Sequence, residues 1–345
     1  MIKIDVDKRK WEKIKEEHSE WYSDNILPNI KNAYEFIESQ KSKSYSMKKY
    51  LELLKKIIDK GKDFIIQKEL FLDYENKEID KIIKIMKKKN KKRKSILEIC
   101  FEKLNISEEY LPNQLFCYKK LQTGNKDWNR HKLLSLIGIE ICPYCQRNYI
   151  SSYEENNDEK TTADLDHFYP KSLYPFLALS LYNFIPSCQI CNSRFKGNKD
   201  TRDSIYPYEE GFDELGVKFK TSKEVISEIL GERYSDFYVK IDYENLKNKE
   251  DGEKVKNSIE NLGLDRVYKK SHNQYIQNLL YNIEKYPENY LENCVEMFES
   301  NVDKKKQLEE YFKDIVKEPY RKRIENGEPL AKLTKDILEE FNIKI

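Results

Sequence analysis

Two pairs of cysteines at one spacing, Cys142-Pro143-Tyr144-Cys145 and Cys188-Gln189-Ile190-Cys191, stand out in this 345-residue chain. A CxxC turn brings two thiolates close enough to share a metal, and two such turns supply the tetrahedral four-thiolate set that holds structural zinc. Chance is a poor source of two such pairs among seven cysteines. A redox CxxC needs a helix start in a thioredoxin-like βαβ setting, and neither pair has that context. Cys100, Cys117 and Cys294 read as core residues. The stretch between the pairs, residues 146–187, is too long for an ordinary zinc ribbon, so something is built inside the loop that the zinc closes. It contains Asp164-Leu165-Asp166-His167-Phe168-Tyr169-Pro170-Lys171-Ser172, then Asn183-Phe184-Ile185-Pro186-Ser187; the second pair runs on into Asn192-Ser193-Arg194-Phe195-Lys196-Gly197. Carboxylate, imidazole and amide thus recur within one short module.

In order and type these residues resemble the HNH endonuclease family, whose pattern is an Asp-His pair followed by Pro, a central Asn, and an Asn or His closing the motif beside CxxC. The resemblance covers about 65 residues, 139–203. It implies a β-hairpin-plus-helix fold around a catalytic metal. It makes His167 the general base that takes a proton from water, a task suited to an imidazole. Asp166 and Asn192 would hold the metal; as hard oxygen donors they suit Mg2+ or Mn2+ better than zinc. Asn183 matches the central asparagine that braces the loop carrying the base. Arg194 and Lys196 are expected in the first turn of a helix, where cations and free amides can meet a phosphate. Free-standing HNH proteins with long helical flanks resemble bacterial defence nucleases, some of which, as in Septu-type systems, work beside an ATPase. This chain has no Walker-type glycine-rich loop, so any such ATPase is expected to be a partner chain.

The elements that position this module are mostly helical. From about Trp11 to Ser135 apolar residues recur at three- and four-residue steps, as in Tyr50, Leu51, Leu53, Leu54, Ile57 and Ile58, which puts one apolar stripe on a helix. Pro28 sits at a helix start, and the pattern breaks at Gly138. Two β-like runs follow Pro207, at residues 217–219 and 237–243, before helical spacing resumes near Val255. The expected fold is α+β: mainly α, with a small ββα-metal module at 138–205 between a helical domain at 1–137 and a strand-plus-helix region at 206–345.

Charge is high but balanced, 63 Lys+Arg against 61 Asp+Glu, which excludes a DNA-coating protein and makes any nucleic-acid contact local. The strongest local run is 81–94, where nine of fourteen residues are Lys or Arg. Lys91, Lys92, Arg93 and Lys94, from its wholly polar half, are expected on phosphate, against the alternative of a solvated helix face. No membrane span or secretory stretch is found, and a cytoplasmic location is expected. His18, His131 and His272 read as structural or exposed, and the 25 tyrosines as core and interface filling. The expected function is hydrolysis of DNA, with two alternatives: a cutter of structured RNA such as tRNA, and a zinc-stabilised binding adaptor without catalysis.

Overall fold

The computed structural model describes residues 1–68, 94–123, 127–156, 158–231, 236–285 and 302–345. The described residues are mainly helical, with three small two-stranded antiparallel sheets, an α+β composition. By packing, the chain forms two compact units.

One unit comprises residues 4–140 and 150–208. Its first helix, α1 (Lys8–Asn25), is capped by Asp7, whose carboxylate accepts from Arg9 N–H at 3.0 Å and Lys10 N–H at 3.1 Å. It buries Ile14, His18, Trp21 and Tyr22, a helical stripe that includes one imidazole. Helix α2 (Leu27–Glu38) begins with Pro28 in its first turn, as its missing donor allows. Helix α3 (Tyr45–Lys60) buries Tyr50, Leu51, Leu53, Leu54 and Ile57, the stripe legible in the sequence. Helix α4 (Ile96–Lys103) opens with a Ser95–Glu98 capping box. Helix α5 (Arg130–Ile137) is capped by Asn129 and stops at Gly138, whose φ of 68° is the left-handed conformation that favours glycine. Cys100 and Cys117 prove to be half-buried, Cys100 on α4 beside the Ser44 hydroxyl at 3.2 Å and Cys117 in the link between two helical turns; Cys294 lies outside the described residues.

The same unit carries two hairpins. Strand β1 (Ser152–Glu155) pairs with β2 (Asp158–Thr161), and β3 (Asp164–His167) pairs with β4 (Phe184–Ser187) in a register that sets Asp166 opposite Ile185 and His167 opposite Phe184. All four residues of β4 are buried. One wide π-helical stretch, Ile190–Lys196, follows it at once, so a hairpin and a helix do succeed one another here. Around them the tyrosines are structural: Tyr206 donates its hydroxyl to Tyr182 O at 2.6 Å, and Tyr208 donates to Phe184 O at 2.9 Å.

The other unit comprises residues 1–3, 141–149 and 209–345. It contains the hairpin of β5 (Lys218–Thr221) and β6 (Val239–Asp242), within or beside the two runs read as β-like. Helices α6 (Gly252–Leu262), α7 (Leu264–Ser271), α8 (Asn273–Glu284), α9 (Val302–Glu325) and α10 (Ala331–Glu340) follow. Carboxylates of α10 complete the hydrogen bonding of β5, with Asp336 accepting from Phe219 N–H at 2.8 Å and Glu340 from Thr221 N–H at 2.9 Å. Among the described residues no helix is long and apolar enough to cross a membrane.

Candidate functional site

Cys142, Cys145, Cys188 and Cys191 are all buried, and their four sulfurs lie within 4.8 Å of one another. A tetrahedral zinc with sulfurs about 2.3 Å away would separate them by roughly 3.8 Å, so four thiolates at this spacing fit the ion with small adjustments. The first pair sits in a tight turn: Cys142 N–H donates to Asn148 O at 3.0 Å, and Gln146 N–H to Cys142 O at 2.8 Å. Asn148 Nδ2 also approaches Cys145 Sγ at 3.9 Å, a donor toward sulfur of the kind that steadies a thiolate. Cys188 follows β4 directly, and Cys191 lies in the helix after it.

A cavity of about 170 Å³ opens beside β3, lined by Asp164, Asp166, His167 and Asn192, with Arg130 and Lys171 as its cations. The chain thus brings together three of the four residues named from the motif. Asp164 and Asp166 stand two residues apart on β3, on one face of the strand. Asn192 Nδ2 donates to Asp164 Oδ2 at 2.9 Å. That bond fixes the amide and presents its oxygen as an acceptor. The Asp166 carboxylate and the Asn192 amide oxygen are hard donors of the kind Mg2+ or Mn2+ takes, so their chemistry fits such an ion, with the Lys196 ammonium as a second partner of Asp166. Asp164 was not singled out from the sequence, although its place two residues before Asp166 was the signal that could have found it.

Three consecutive carbonyls hold the imidazole and its surroundings. Ala178 O lies 3.0 Å from His167 Nε2; Leu177 O accepts from Asn183 Nδ2 at 2.9 Å; Leu179 O lies 2.8 Å from His18 Nε2. A carbonyl only accepts, so both imidazoles carry their proton on Nε2. In His167 this leaves Nδ1 with its lone pair; in His18 that lone pair accepts from Trp128 Nε1 at 3.0 Å. Asn183 also accepts from Tyr169 N–H at 2.7 Å and donates to Tyr169 O at 3.1 Å, bridging two stretches of the loop after His167. Tyr118 stands edge-on to His167 with ring centroids 4.7 Å apart. Burial, then the Lys171 charge, pushes the His167 pKa down to about 3, against the opposing pull of the Ala178 bond, so the ring is neutral at neutral pH.

The two cations near the motif part company. Lys196 is buried, its ammonium 3.1 Å from Asp166 Oδ1 and 2.6 Å from His167 O. Arg194 is exposed. Neither stands in a first helical turn: the π-helix is only seven residues long, and Gly197, at φ 53°, ends it directly after Lys196. Lys196 grips the site from within. Of the basic run, Lys94 pairs with Glu102, while Lys91, Lys92 and Arg93 lie outside the described residues.

His18 is the residue that sequence reasoning left as merely structural and that the fold connects to the site through Leu179. Burial depresses its pKa to about 4 from 6.5, with the Leu179 bond opposing. The folded pKa is below the unfolded one, so its contribution is full above about pH 6.5 and is lost as pH falls toward 4. This single group should remove about 3 kcal/mol of stability across that window. Denaturant unfolding at several pH values should show a steeper acid loss in the wild type than in His18→Gln; parallel curves would contradict the neutral, buried assignment.

Comparison with curated proteins finds similarity to the Septu protein PtuB of Bacillus thuringiensis, 33% identical over 102 residues. The matched part is 29% of this chain and 34% of that protein, so the match spans about a third of the relative's length. No family model matches the chain, and no solved structure matches it.

Proposed function

We propose that the chain is a metal-dependent endonuclease of the HNH type that hydrolyses phosphodiester bonds, DNA before RNA, in anti-phage defence beside an ATPase partner. One observation carries this reading: an imidazole with its tautomer set by a backbone carbonyl shares a small polar cavity with Asp166 and Asn192. A zinc-stabilised adaptor has no need of that arrangement. The similarity to a Septu protein supports the defence setting, and the sequence of hairpin and helix supports the fold that the motif implies.

In this reading residues 138–205 form the nuclease module. His167 Nδ1 accepts the proton of the attacking water. Asp166 and Asn192, with Asp164 steadying the amide, would hold the divalent ion, which when bound supplies charge neutralisation at the phosphate and leaving oxygen. Lys171 and Arg130 line the same cavity and meet the phosphate's negative charge. Burial is the main cause of the low His167 pKa, and the arriving anion offsets the second, the Lys171 charge, which strengthens the base as substrate binds. Asn183 keeps the loop in place.

The test is incubation of purified protein with plasmid, single-stranded DNA and total RNA, each with Mg2+, with Mn2+ and with a chelator. Metal-dependent cutting of at least one is expected, and cutting of RNA alone would reassign the substrate. Lys91, Lys92, Arg93 and Lys94 are proposed to add salt-sensitive affinity. Replacing all four with Gln should flatten the slope of log affinity against log salt by up to about four phosphate contacts' worth; an unchanged slope would leave the run a solvated face.

A further inference from the structure

A second cavity, of about 550 Å³, adjoins the first and shares Tyr118, Gln122, Lys171 and Asn198 with it. The volume falls in the range of small-ligand sites. Phe116, Pro175 and Ala178 make its floor apolar. Three amide side chains, Asn113, Gln122 and Asn198, border it, all exposed and none hydrogen-bonded through its side chain to another described residue. Lys119 and Lys171 add positive charge, the latter with its ammonium 4.8 Å from the Tyr118 ring centroid.

These features together describe one kind of occupant. A flat apolar ring fits the floor. Amides present a donor and an acceptor at once, which is what the hydrogen-bonding edge of a base requires. The lysines suit the phosphates on either side of it. A phosphate in the first cavity has its neighbouring nucleoside within one nucleotide's reach, and the shared wall places the second cavity there. We propose that this cavity is a nucleobase subsite, taking the base of a nucleotide that adjoins the scissile phosphate. The proposal rests on the nuclease reading and adds to it a contact that selects where the chain is cut.

The experiment titrates the intact chain, without added divalent metal, with ribose 5-phosphate and with the common ribo- and deoxyribonucleoside 5′-monophosphates. At least one nucleotide should bind about tenfold or more tightly than the sugar phosphate. Gln122→Ala combined with Asn198→Ala should abolish that advantage and leave the melting temperature unchanged. Asn113→Ala alone provides a second variant should the double variant fold poorly, and should reduce the same advantage. A smaller advantage for every nucleotide, or one that the folded variants retain, overturns the subsite. Cutting is not read in this assay. A chain that binds bases yet never hydrolyses would fail only the nuclease reading, whereas a nuclease indifferent to the base would fail only this one.

Discussion

His167→Ala protein is expected to cut between about a hundredfold and ten-thousandfold more slowly than the wild type, with zinc content, fold and substrate affinity close to normal. Among the described residues the imidazole hydrogen-bonds to Ala178 O, so its removal takes away a proton acceptor and leaves Asp164, Asn192 and Lys196 in place. The metal side should respond differently. Asp166 shares its carboxylate with a buried ammonium, and deleting one partner of such a pair costs about 3–5 kcal/mol. Asp166→Asn is therefore the cleaner variant than Asp166→Ala, because the amide oxygen can still accept from Lys196. In Asp166→Asn and Asn192→Ala, raised Mg2+ should recover part of the activity; in His167→Ala it should recover none. A His167→Ala protein cutting at more than about a tenth of the normal rate would refute the assignment of the base.

Cys188→Ser should be the most damaging substitution for the structure. Structural zinc in small modules contributes on the order of 10 kcal/mol to folding, so loss of one thiolate should release the ion and unfold the module around β4 rather than only slow it. Metal analysis should find about one zinc per wild-type chain and far less in the variant. Circular dichroism should show the accompanying loss of structure. Zinc-free wild-type protein with full activity would remove the structural role.

Much of the site was legible because its chemistry is local in sequence. The CxxC spacing alone points to four sulfurs at one site, and the fold assembles them. Asp166, His167 and Asn192 could be named because they sit within one short motif. The stripe on α3 and the stop at Gly138 followed from helical period and from glycine's tolerance of positive φ. What escaped was the long-range part. His18 lies 161 residues from Leu179 and Arg130 lies far from the motif, and no periodicity links such positions. The sequence points to Lys196 as a phosphate contact; only the fold reveals the carboxylate and carbonyl that make its burial tolerable. The sequence points to a helix after Cys188 but not to its brevity, since nothing in its composition distinguishes one wide turn from a longer helix.

The row of carbonyls at Leu177, Ala178 and Leu179 has a consequence for how this chain can drift. What orients His167 is a main-chain oxygen, and no exchange of side chain deletes a main-chain oxygen. As copies of the gene diverge, Leu177, Ala178 and Leu179 can trade one apolar residue for another of similar bulk without loosening the imidazole. Selection should fall instead on the donors that reach in, Asn183 from the same loop and His18 from α1, and on Trp128 behind it. An alignment of diverged copies should therefore hold those three fixed while the residues supplying the acceptors vary. The turn nearest the chemistry would then be among the more changeable parts of the motif.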